Sequence, residues 1–77
     1  MDIHTLTRMA NQIGGFFEAM PDRQEALAGI TLHIKRFWEP RMRRELQDYL
    51  QQADNSELLP IVREALQADS SWLPAQH

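Results

Sequence analysis

The chain has no cysteine among its 77 residues, so it offers neither a disulfide framework nor a thiolate site for zinc or an iron–sulfur cluster. A reducing compartment fits this composition, and the cytoplasm is the expected location. Long apolar runs are also missing. The longest, Leu58 to Val62 with Pro60 inside it, falls far short of the roughly 20 residues a membrane helix requires. Asp2 and Arg8 interrupt the first residues, so no signal peptide is expected. Glycine is scarce, and Gly14-Gly15 lacks the further glycines and the Lys-Ser/Thr of a phosphate-binding loop.

Catalytic apparatus is lacking too. His4, His33 and His77 are scattered without the spacing of a metal site. Ser56, Ser70 and Ser71 have no nucleophile-elbow context, and the Asp22/Glu25 pair is explained by helix capping. Catalytic, cofactor-binding and metal residues are therefore all expected to be none. A net charge of −3 and a pI near 5.5 argue against a general nucleic-acid binder, whose affinity comes mostly from phosphate neutralisation.

What is present is helical periodicity. Leu6, Met9, Ala10, Ile13, Phe16, Phe17 and Met20 recur at intervals of three and four, which predicts a first helix from Ile3, capped by Asp2 or Thr5. Gly14-Gly15 either lets another chain segment approach closely or breaks the helix before Phe16. Phe16 and Phe17 lie about 100° apart on a helix, so either one of them faces a partner or a wide stripe buries both. Pro21 ends this helix, and Asp22 caps a second that carries Leu27, Ile30, Ile34, Phe37 and Trp38 to Glu39, with Gly29 allowing close packing on the first. Pro40 is expected to start a third helix with Met42, Leu46, Tyr49, Leu50 and Ala53 on its apolar face. A fourth follows a polar loop, capped by Asn55 or Ser56 with Pro60 in its first turn. The fold class is all-α, a small bundle of three to four short helices. Residues 1–69 form a single helical domain and residues 70–77 a disordered or docked C-terminal tail, where Trp72 and Leu73 could contact the bundle.

The chain's positive charge is concentrated in one place. Lys35, Arg36, Arg41, Arg43 and Arg44 against Glu39 give residues 35–44 a charge of +4, leaving −7 for the rest. Arg41, Arg43 and Arg44 would then sit in the first turn of the third helix, where the dipole disfavours cations by about 0.3 to 1 kcal/mol each. A compensating acid is expected. The i,i+4 pairs Glu39–Arg43, Arg41–Glu45 and Arg44–Asp48 could supply it as a solvated, salt-bridged face. The alternative is a docking patch, because arginine and tryptophan are enriched at interface hot spots. The candidate partner-binding residues are Phe17, Phe37, Trp38, Pro40, Arg41, Arg43 and Arg44.

Two segments together carry a resemblance. Met9-Ala10-Asn11-Gln12-Ile13-Gly14 with Phe16-Phe17-Glu18-Ala19-Met20-Pro21, and His33-Ile34 with Phe37-Trp38-Glu39-Pro40-Arg41-Met42-Arg43, resemble the delta subunit of the soluble NAD-dependent, molybdenum-containing formate dehydrogenases of bacteria. Leu59 to Leu66 fits the same pattern, so the likeness covers residues 1–68 and leaves the tail outside. The resemblance implies a non-catalytic accessory subunit that supports assembly, cofactor insertion or stability of a complex oxidising formate to CO2. It implies an alpha subunit carrying bis-molybdopterin guanine dinucleotide and iron–sulfur clusters, with beta and gamma subunits passing electrons to FMN and NAD. No cofactor, membrane or nucleic acid is expected on this chain. The alternative is a small helical regulator binding nucleic acid through the Lys35 to Arg44 cluster.

Overall fold

Four helices make up the computed structural model, which describes residues 2–52 and 54–74. They are α1 (Ile3–Glu18), α2 (Arg23–Phe37), α3 (Pro40–Leu50) and α4 (Pro60–Ala68). Among the described residues there is no strand, and the all-α bundle expected from periodicity is what the chain forms.

The helix starts follow from side-chain chemistry. The extended Asp2 accepts from the His4 amide through its carboxylate, and Asp22 accepts in the same way from the amides of Gln24 at 2.9 Å and Glu25 at 3.4 Å. Pro40 breaks the chain and does not kink it. Glu39 sits at φ −66°, ψ 154°, in the extended region that a following proline ring imposes. Pro40 then opens α3 where its missing N–H does no harm. Leu59 and Pro60 repeat the device at α4. The expected cap from Asn55 or Ser56 is not made. Instead Asn11 of α1 reaches across, its Oδ1 accepting from the Leu59 amide at 2.8 Å and its Nδ2 donating to the Glu57 carbonyl at 2.7 Å.

α1 is the hub, touching α2, α3 and α4. Its buried stripe, Leu6, Ala10 and Gly14, has the i,i+4,i+8 spacing of one helix face, and meets Ile30 and Ile34 of α2, Leu46 of α3 and Ile61 and Val62 of α4 in one core. The helix runs unbroken through both glycines. Gly14 marks a close approach within the chain, since a Cβ there would lie 2.5 Å from Val62 Cγ2. Gly29 does the same for α2, where a Cβ would lie 2.5 Å from the Phe17 ring, as its packing on the first helix led one to expect.

The described part of the tail docks. Trp72 is 1% exposed, its indole N–H donating to the Leu66 carbonyl at 3.0 Å and its own carbonyl accepting from Arg43 Nη1 at 3.0 Å. The core thus extends past residue 69 to Trp72. Ala53, assigned above to the apolar face of the third helix, and His77 lie outside the described residues.

Candidate functional site

Where α1 faces the corner between α2 and α3, the helices leave a groove of about 560 Å³. It is lined by Met9, Gln12, Ile13, Phe16 and Phe17 of α1, His33 and Phe37 of α2, Trp38 at the corner and Met42 of α3. A second stripe of α1, Met9, Ile13 and Phe16/Phe17, forms one wall beside the stripe that the core uses. Phe16 is 75% exposed and Phe37 70%. Phe16 stands edge-on to Phe17, with centroids 5.2 Å apart, and Phe37 leans on His33 at 4.7 Å. These two rings and Leu32 are the large apolar groups left exposed among the described residues, and of the three only the rings line the groove.

The seven candidate docking residues separate into three groups. Phe37, Pro40, Arg41 and Arg44 are exposed, at the groove or on the α3 end beside it. Phe17 is half-buried, because the missing side chain at Gly29 lets its ring wedge onto α2; of the adjacent pair, Phe16 is the ring left outside. Trp38 and Arg43 need correction. Trp38 is 5% exposed, since it continues the i,i+4 series of Ile30 and Ile34 and turns back into the core where α2 stops; it contributes to the groove as a lining residue. Arg43 is half-buried and holds the tail through the Trp72 carbonyl, its Nε enclosed without a hydrogen-bond partner.

The salt-bridged face does not form. Among the described residues the ion pairs are His4–Glu57 and Arg23–Glu64, and neither involves residues 35–44. Lys35, Arg36, Arg41 and Arg44 are exposed cations that form no salt bridge among the described residues, although Lys35 is close enough to Asp69 to help hold its carboxyl below the usual range.

Met9, Gln12, Ile13, His33 and Met42 line the groove without being among the sequence candidates, and Phe16 entered only as one of an adjacent pair of which either could face a partner. The signal is geometric: Met9, Ile13 and Phe16 or Phe17 follow the helical period next to the core stripe.

A polar strap lies on another side of α1. His4 Nδ1 is 2.8 and 3.0 Å from the two carboxylate oxygens of Glu57. The hydrogen bond and charge of that carboxylate raise the His4 pKa above its usual 6.5, with Asp2 adding to the effect. The Thr7 hydroxyl donates to the His4 carbonyl at 2.9 Å and lies 3.2 Å from Glu57 Oε2, while the Glu57 amide donates to the Tyr49 hydroxyl at 3.3 Å. With Asn11, these contacts fasten the loop before α4 to α1. Among the described residues no three histidine or acidic side chains converge as a metal site would require.

The described residues form a small all-helical bundle that carries an open apolar groove. The chain belongs to the family of the NADH-dependent formate dehydrogenase delta subunit, FdsD, whose model matches residues 5–66. Neither the comparison with curated proteins nor that with solved structures gave a match. Membership makes the chain a subunit of a formate dehydrogenase complex, with other subunits as partners, and the family gives no support to the nucleic-acid alternative. The matched span contains every groove residue and ends before Trp72. Among the described residues no helix is long and apolar enough to cross a membrane.

Proposed function

We propose that this delta subunit is a non-catalytic accessory chain that docks through its groove on the catalytic alpha subunit of formate dehydrogenase. It supports assembly, cofactor insertion or stability of a cytoplasmic complex whose molybdopterin, iron–sulfur, FMN and NAD chemistry resides in the alpha, beta and gamma subunits. The observation that carries this reading is the pair of exposed rings, Phe16 and Phe37, on a groove that this chain's own core leaves open. Fully burying a side chain of this size is worth about 1.5 to 3 kcal/mol, so two rings supply a substantial anchor for a partner and no benefit to the isolated chain.

The test is co-purification with a tagged alpha subunit from cells producing all subunits, with molybdenum content and formate-dependent NADH formation measured on the product. Phe16→Asp with Phe37→Asp should leave the isolated chain folded, because both positions are exposed, yet abolish recovery with alpha and lower molybdenum loading or complex stability. Full recovery of the double variant with unchanged activity would refute the docking assignment.

A further inference from the structure

The cations beside the groove specify what fills it. Lys35 and Arg36 end α2 and Arg41 and Arg44 begin α3; Lys35 lies about 200° round α2 from His33 and Phe37, near Asp69, whereas Arg41 and Arg44, on either side of the groove residue Met42 in sequence, are exposed and form no salt bridge among the described residues. Arg41 stands in the first turn of α3, where the helix dipole already disfavours positive charge, and Arg44 lies just beyond it. The acid that would relieve this is absent from the chain's own ion pairs, so its natural source is the molecule that covers the adjoining Phe37 and Met42.

The walls restrict the shape of that molecule. They are helices whose backbone groups are bonded within themselves, so the groove presents no strand edge and cannot recruit a partner by adding a strand. Its polar lining residues are Gln12 and His33, whereas small-molecule sites usually converge several polar groups to orient their ligand. Apolar walls from two sides suit the apolar stripe of a helix laid between them. A second copy of this chain is disfavoured by charge: a two-fold interface sets the same patch against itself, bringing the 35–44 cluster of one copy against that of the other.

We infer that the groove receives an amphipathic helix of the alpha subunit, with apolar side chains at i, i+3 or i+4 and i+7 between Phe16 and Phe37, and with aspartate or glutamate within a turn of that stripe against Arg41 and Arg44. The inference rests on the docking reading above and deepens it by giving the partner element its shape and sign.

Photo-crosslinking in the assembled complex tests it. p-Benzoylphenylalanine at position 16 or at position 37 replaces one exposed aromatic with another, and mass spectrometry locates the captured residues. The expected result is capture from both positions within one helical stretch of the alpha subunit carrying that apolar spacing and flanking acids. In a second measurement, Arg41→Glu with Arg44→Glu should slow association with alpha by about tenfold at low salt, the difference shrinking as salt screens the charges. Capture of an alpha segment that is extended or lacks acids, or a charge-reversed chain that associates unchanged, overturns this inference while leaving docking intact. Capture of another delta chain, or of no formate dehydrogenase subunit, overturns both.

Discussion

Adjacent glycines in α1 should respond to alanine with opposite signs. On an exposed helix surface, Gly→Ala stabilises by about 1 kcal/mol, through helix propensity and a less disordered unfolded chain. Gly15 is such a site: it is exposed, and an added Cβ meets nothing within 4 Å. Gly14 is buried, and a Cβ there would lie 2.5 Å from Val62 Cγ2, with Ile61 Cγ2 at 3.5 Å. Val62 is itself fully buried, and its β-branched side chain has one strongly preferred rotamer in a helix, so it cannot swing away as a long flexible group would. Separating α1 from α4 by the several tenths of an ångström required is an overpacking strain of about 1 to 3 kcal/mol, which outweighs the propensity gain. Gly14→Ala should therefore lose about 1 kcal/mol and Gly15→Ala gain about as much.

In a domain of this size 1 kcal/mol corresponds to roughly 4 to 8 °C in Tm, so the two variants should bracket the parent and stand about 10 °C apart in thermal melts followed by circular dichroism. A double-mutant cycle assigns the cause. Val62→Ala removes the methyl that blocks the new Cβ, so Gly14→Ala should be less damaging in that background, with a coupling of about 1 kcal/mol. Equal stabilisation by both alanines, or additivity in the cycle, would refute the claim that α1 and α4 meet at Gly14.

Three further outcomes follow from the same contacts. Trp72→Ala removes a fully buried ring and its bond to the Leu66 carbonyl, and should cost about 3 to 5 kcal/mol in urea unfolding; a loss below 1 kcal/mol would show that the tail is not part of the core. Asn11→Ala removes the acceptor of the Leu59 amide and the donor to the Glu57 carbonyl, at about 1 to 3 kcal/mol, and should speed hydrogen exchange at Leu59 while leaving the α2 amides protected. The raised His4 pKa means that its pairing with Glu57 contributes fully below the unfolded value of 6.5 and is lost as pH rises through the folded value above it. Stability should decline slightly through that window, and Glu57→Gln should flatten the decline and bring the NMR-titrated His4 back toward 6.5.

The helices were legible because local signals set them: Asp2 and Asp22 as caps, Pro40 and Pro60 as first residues, and apolar spacing of three and four throughout. The site was only half legible. The cation cluster and Phe37 stand out in the sequence, but which ring of Phe16-Phe17 faces outward depends on Gly29, a residue on another helix. The indole of Trp38 adjoins arginines that mark a surface, but its spacing from Ile30 and Ile34 places it with the core. Arg43 and Trp72 meet across 29 residues of chain, and a lone tryptophan outside any periodic stretch leaves no pattern from which docking could be read. The missing i,i+4 pairs have a similar origin: Arg43 is taken by the tail, and weak exposed pairs hold long side chains in place only at an entropic cost that leaves little net gain.

The groove is open for a reason that lies in α1. Leu6, Ala10 and Gly14 form one buried stripe, and the small residues at its centre and end draw the neighbouring helices close enough that the next stripe round is needed only at the core's edge. Met9, Ile13, Phe16 and Phe17 make up that next stripe: Met9, Ile13 and Phe17 are partly buried against the core's edge, Phe17 in the notch left by Gly29, and Phe16 is left outside. A chain of 77 residues has a thin stability margin, so leaving Phe16 and Phe37 in water forgoes burial that the fold could have used. Under the docking proposal, folding and docking use different faces of one helix, and mutations on the two stripes should separate them: Ala10 changes should unfold the chain, whereas Phe16 changes should leave it folded and detached from its partner.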